Sequence, residues 1–309
     1  MHSPWGFRLI FALALATTVH SFVISSGAVA RATISRPRHA AAHAPITMDA
    51  ALSGKALVVG GNRGLGLAVV QNLVGQGVEV IATARKSNPE MEAAGCKIVA
   101  GIDVAEEDSG QKLVEGVTGH LGEGCTLDYL IVIAGYFTTE TFDELNWAEN
   151  RKMYEICALG PLRVTQALVK AGLIKEGGKV GLITSEGGSI SLRSEAEGGG
   201  NYGHHMSKCA QNMMGKLLAW DLKPLGIGVV MLHPGFLKTS MTGHYAHLYE
   251  ELGAVTPEEA VPHILKAVED VKLETTGKFI APMGSSGLGL GVWALPDPDS
   301  FGPFSELPW

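Results

Sequence analysis

From Gly54 onward, short runs of consecutive apolar residues alternate with longer stretches in which apolar residues recur every three to four positions. The short runs are Ala56–Val59, Val78–Thr83, Lys97–Ile102, Tyr129–Ala134, Lys179–Thr184, Ile227–Leu232 and Lys278–Ala281. Most are apolar nearly throughout, as strands are when helices cover both faces of a parallel sheet. The periodic stretches Leu65–Gln76, Ala105–Gly119, Asn150–Lys175, His204–Lys223 and Pro257–Val271 read as the helices between them. The last opens on Thr256, Pro257 and Glu259, in order an N-cap, a first-turn proline and a glutamate placed to reach back to the cap N–H. This alternation predicts one doubly wound α/β domain running from residue 53 to residue 309, with ligands bound beyond the carboxyl ends of the strands.

Three segments fall outside the pattern. Glu195–Asn201 is glycine-rich and precedes the His204 stretch, so it is expected to form a mobile lip. Residues 284–304 are expected to be a surface insertion. Residues 1–48 contain no Asp or Glu, and their apolar run Leu9–Val19 is too short to cross a bilayer comfortably. Arg31, Arg36 and Arg38 follow it. Together they read as a signal or transit leader resembling the bipartite leaders that direct proteins into secondary plastids; a secretory signal is the alternative. The mature chain is then expected off the membrane. A net charge of −7 gives no basic footprint for nucleic acid. Cys96, Cys125, Cys157 and Cys209 have neither CxxC nor metal-ligand spacing and are expected as free thiols, with no metal bound.

The chemistry begins at the first strand-to-helix turn, Val59-Gly60-Gly61-Asn62-Arg63-Gly64-Leu65-Gly66. Glycines at 60, 64 and 66 let the backbone turn tightly and approach a pyrophosphate, which the N–H groups and dipole of the following helix would hold. The second strand ends at Ala84, followed by Arg85 and Lys86. An NAD site ends this strand in an acid that grips the ribose 2′-hydroxyl; cations there, with Arg63 nearby, suit a 2′-phosphate and favour NADP(H).

The G-x-x-x-G-x-G spacing is that of classical short-chain dehydrogenases, and the resemblance extends over nearly the whole body. Asp103-Val104 stands where that family has its adenine-contacting pair. Leu159–Leu168, Thr184-Ser185 with Gly188-Ser189-Ile190, His233–Thr239, Gly277-Lys278-Phe279 and the final Glu306–Trp309 resemble C-factor-like, sniffer-type carbonyl reductases. The resemblance implies a Rossmann-type seven-stranded domain that reduces a small-molecule carbonyl with NADPH, and it allows a homo-oligomer. It implies that Ser185 polarises the carbonyl, that Lys208 holds the nicotinamide ribose, and that Pro234, Gly235 and Thr239 hold the carboxamide.

Three departures stand against it. Four residues before the lysine, the family's tyrosine, which protonates the developing alkoxide, is replaced by His204. Cys157 occupies the place of an asparagine that holds a water joining the lysine to bulk solvent. The family's Asn-Asn-Ala-Gly is here Val132-Ile133-Ala134-Gly135, keeping Ala134 at the cofactor. Imidazolium is a competent general acid, but the Lys208 cation should lower its pKa; a neutral ring still donates an N–H to a carbonyl. The competing expectation is an NADP(H)-binding pseudoenzyme that senses the cofactor or scaffolds a partner.

Overall fold

The computed structural model describes residues 52–309 apart from Glu123, Ala196 and Pro296. The expected leader, residues 1–48, lies outside the described residues. The strands are β1 (Lys55–Val59), β2 (Glu79–Ala84), β3 (Lys97–Ala100), β4 (Leu127–Val132), β5 (Ile174–Ile183), β6 (Gly228–Leu232), β7 (Lys278–Ala281) and β8 (Ser305–Glu306). They form one sheet in the order β3-β2-β1-β4-β5-β6-β7-β8. The first seven are parallel, and β8 pairs antiparallel with β7. The strand order reverses between β1 and β4, which opens a crevice at their carboxyl ends.

Two helical layers cover the sheet because successive side chains of a strand point to opposite faces. Leu57 and Val59 of β1 face α3 (Ser109–Leu121), α5 (Gly160–Lys170) and α6 (Tyr202–Leu222) through Leu113, Val117, Val164, Leu168 and Leu218. Ala56 and Val58 face α1 (Gly64–Gly75) and α7 (Pro257–Glu269) through Val69, Leu73, Ile264 and Leu265. Each fully buried leucine, valine or isoleucine contributes about 1.5–3 kcal/mol relative to exposure. The α7 cap forms as the sequence predicts: Thr256 Oγ1 accepts from Glu259 N, and Thr256 N donates to Glu259 Oε2 at 2.7 Å.

The structure departs from expectation in five places. A short α2 (Pro89–Ala93), capped by Asn88, follows β2. The stretch Asn150–Lys175 is not one helix: α4 (Trp147–Tyr154) runs into a wider π-type turn, Glu155–Leu159, before α5. Gly172 at φ 68 then ends that helix, and Ile174 already pairs with Leu127 at the start of β5. The 284–304 segment is not a surface insertion. Leu288 and Leu295 join the core, Ser285 N donates to Phe301 O, and the Gly287 carbonyl accepts from Phe236 N and from the His233 ring. The segment leads into β8, which makes the sheet eight-stranded instead of seven. Finally, the expected mobile lip is tied at both ends, through Glu197 to Arg193 and through Asn201 to Glu140.

Candidate active site

A cleft of about 530 Å³ opens at the carboxyl ends of the strands. Its first wall is the turn after β1. Gly60 (φ 94) and Gly64 (φ 50) occupy backbone conformations that disfavour side chains. A Cβ on Gly60 would sit 2.8 Å from Ala134 N, and one on Gly66 would collide with the Gly60 carbonyl. Gly60 N and Gly61 N are held by Thr83. The turn therefore presents bare backbone at the N-terminus of α1, and a dinucleotide pyrophosphate fits that cradle. Asn62, Arg63, Leu65, Asp103, Val104, Ala134, Pro234 and Thr239 also line the cleft. Ala84 and Arg85 line it too, whereas Lys86 does not. Arg85 is largely exposed and lies 3.8 Å from Asp103.

The same cleft gathers Ser185, His204 and Lys208. Ser185 stands two residues beyond β5 in extended conformation, and its hydroxyl accepts from Gly187 N at 3.0 Å. Lys208 is buried; its Nζ donates to Ile183 O at 3.0 Å and to Gln211 Oε1 at 2.9 Å. An ammonium carries three N–H bonds, so one remains for a ligand. Burial lowers the Lys208 pKa.

His204 lies in the first turn of α6 with its ring edge-on to Phe137 at 4.7 Å. Its Nδ1 is shielded from solvent and has no hydrogen-bond partner. Burial pushes its pKa well below 6.5, with the Lys208 cation the next contributor. The expected lysine effect is present, then, but desolvation is the larger cause. The ring is neutral at physiological pH.

Like Lys86, Cys157 does not line the cleft. It sits fully buried in the π-type turn, its Sγ 3.4 Å from both the N and the O of Tyr136. The thiol is thus closed onto backbone where a water-holding amide was expected.

Several residues of the site carry no local sequence signal. Glu186, next to Ser185, lines the cleft and pairs with Arg193, which also binds Glu197 at 2.5 Å. Burial raises the Glu186 carboxyl to about 7 against the pull of Arg193. His233 is buried with Nδ1 accepting from Glu186 N at 3.0 Å and Nε2–H donating to Gly287 O at 2.8 Å, and burial lowers its pKa to about 4. It is a structural strut between β6 and the 284–304 segment. Phe137, His244 and Tyr245 form an aromatic group beside His204, with the Phe137 and His244 rings stacked at 5.3 Å.

Glycine cradle, serine and lysine on one parallel-sheet crevice define a nucleotide-dependent oxidoreductase scaffold. The sequence profile of the short chain dehydrogenase family matches residues 54–249. The chain belongs to that family, whose members use nicotinamide cofactors. It is 34% identical over 226 residues to 1-hydroxy-2-glutathionyl-2-methyl-3-butene dehydrogenase of Rhodococcus sp. (strain AD45), covering 72% of this chain and 94% of that protein. It is 32% identical to C-signal of Myxococcus xanthus over 46% of this chain and 80% of that protein. Among solved structures, NADPH-bound carbonyl reductase from chicken fatty liver superposes with a TM-score of 0.64 at 27% identity, over 74% of this chain and 95% of that one.

Proposed function

We propose that this chain is an NADP(H)-dependent reductase of small carbonyl compounds in which His204 takes the position of the family's phenol. The observation that carries the reading is that His204, four residues before Lys208 on α6, lines the same cleft as Ser185 and Lys208. When bound, the nicotinamide supplies the hydride. The Ser185 hydroxyl and a His204 N–H donate to the substrate oxygen, and Lys208 holds the ribose with its third N–H. Arg63 and Arg85, flanking a β2 end that lacks an acid, support the 2′-phosphate form of the cofactor. The NADPH in the chicken carbonyl reductase is consistent with this choice.

The test is NADPH turnover with a panel of aldehydes and ketones, followed by loss of NADPH absorbance, on protein lacking residues 1–48. Measurable turnover that falls in His204→Ala supports the reading. Tight NADPH binding with no turnover of any carbonyl refutes it and leaves a cofactor-binding sensor or scaffold. Residues 1–48 are proposed to direct plastid import, with secretion as the alternative; the mature N-terminus should fall between Phe22 and Ala51. Self-association fits Met213, Leu217 and Trp220, which are exposed at helical spacing on α6.

A further inference from the structure

The N-terminus of α6, which carries His204, is not capped by the side chain of its own N-cap residue. Asn201 stands at the cap position in left-handed conformation (φ 48), and its side chain makes no capping bond. Instead, residues 200–203 fold around Glu140, from the loop between β4 and α4. Asn201 N donates to the Glu140 carbonyl at 2.9 Å. Glu140 N donates to Asn201 Oδ1 at 3.3 Å. The Glu140 carboxylate accepts from Gly203 N. Gly200, at φ 103, lies so close that a Cβ there would be 2.9 Å from Glu140 O. Asn201 then extends the tie outward: its Nδ2 donates to the Tyr245 hydroxyl at 3.2 Å, on the turn that borders the cleft.

Glu140 is buried, and among the described residues no Lys, Arg or His pairs with it. A buried carboxylate without a cation is costly unless its lone pairs are satisfied and its charge is compensated. The positive end of the 21-residue α6 provides both. The other side of the same turn is fixed by shape, because a Cβ on Gly203 would collide with Asn150 Oδ1 and Met153 Cε of α4. Glu140 and α4 thus grip residue 203 from two directions, one residue before a ring whose Nδ1 is left facing no protein partner.

We infer that Glu140 is a positioning residue: its carboxylate caps α6 from another loop and fixes the place and orientation of the His204 ring over the substrate oxygen. This rests on the carbonyl reductase reading above. A phenol reaches further than an imidazole, so the shorter ring tolerates less displacement of its backbone. A displacement near 1 Å costs up to about 100-fold in rate.

The experiment compares Glu140→Met, which keeps the side-chain volume but cannot accept, with Glu140→Gln, which keeps an acceptor oxygen and loses the charge. Two quantities are read: steady-state constants for carbonyl reduction, and the ring ¹⁵N signals of His204 in histidine-labelled protein, identified by their loss in His204→Gln. Glu140→Met should lower kcat roughly ten- to a hundredfold and shift the His204 signals. NADPH affinity should change by less than about twofold, since the cofactor cradle is built elsewhere. Glu140→Gln should restore kcat and the native signals. Native His204 signals in folded Glu140→Met would overturn the inference, as would equal losses of kcat in the two variants. If Glu140→Met does not fold, Tyr245→Phe removes only the outermost tie; it should shift the His204 signals in a smaller step, and no shift would overturn the inference. A native chain that turns over no carbonyl would sink the reductase reading alone, while the His204 signals still decide the placement.

Discussion

Glu186 is a carboxyl in the cleft wall whose side chain is only 16% exposed. Burial raises its pKa from an ordinary 4.5 to about 7, even with Arg193 against it, and the nearby Glu197 carboxylate pushes the same way. A group whose folded pKa lies above its unfolded one stabilises the fold fully below the unfolded value, and that contribution is lost as pH rises through the folded value. The window is therefore pH 4.5 to about 7. At about 1.4 kcal/mol per pH unit, the loss across it is about 3 kcal/mol. Glu186→Gln mimics the protonated acid at every pH. Measured by urea unfolding at about pH 5 and about pH 8.5, the variant should gain about 3 kcal/mol on the native chain between the two. The half-buried His205 and the buried His233, both lowered to about 4, destabilise the fold toward acid pH, but they are present in both proteins and cancel in the difference. A difference between the two proteins that is the same at both pH values would refute the argument.

Arg85→Ala should remove most of a tenfold or larger preference for NADPH over NADH, since a charge-assisted bond to phosphate contributes about 1.5–3 kcal/mol; calorimetry with both cofactors checks it. His204→Tyr restores the family's proton donor beside Ser185 and should raise kcat, a positioned general acid being worth roughly 10²–10⁴-fold; Cys157→Asn in the same chain tests whether a relay to Lys208 is also needed. Gly188→Ala places a Cβ 2.7 Å from the Lys208 backbone and 2.8 Å from Asn212 Nδ2. It should cost about 1–3 kcal/mol in denaturant unfolding by pushing α6 off the end of β5.

The parts of this fold legible in the sequence are those set by local pattern. Six of the seven expected strands both begin and end within two residues of the observed ones because nearly unbroken apolar runs admit only a doubly covered sheet. The glycines at 60, 64 and 66 were readable for the same reason: their role is a local backbone requirement. What the pattern hid depends on distant partners. β5 starts at Ile174, ahead of its apolar run, because Leu127 is there to pair with it. Gly284–Gly289 looks like loop, yet its carbonyls and Leu288 close the cleft against β6 and β7. Glu140 caps a helix 63 positions downstream, and no window of sequence contains both ends of that bond. Cys157 was expected inside one helix, Asn150–Lys175; that it stands in a π-type turn with its thiol closed onto Tyr136 required the fold.

The departures at His204 and Cys157 bear on one step of the chemistry. The glycine turn, Ser185 and the buried Lys208 all stand on the same cleft, so the proposed reading keeps its groups for binding and polarisation. Proton supply is what has changed. A protonated imidazole at 204 would place a second cation beside Lys208 in a desolvated site, and both effects drive the ring to its neutral form. A neutral ring is the form that coexists with a charged Lys208, and it offers one N–H to an oxygen without a net charge of its own. Behind Lys208, the thiol of Cys157 is engaged by backbone and off the cleft, so the asparagine-held water that the family places there has no counterpart in that side chain. On the reductase reading proposed above, the hydrogen bond from His204 would stabilise negative charge on the substrate oxygen, and the proton that finally neutralises it would arrive from the open side of the cleft. On that reading the rate would depend on the orientation of the His204 ring, and a cap as remote in sequence as Glu140 would bear on the chemistry.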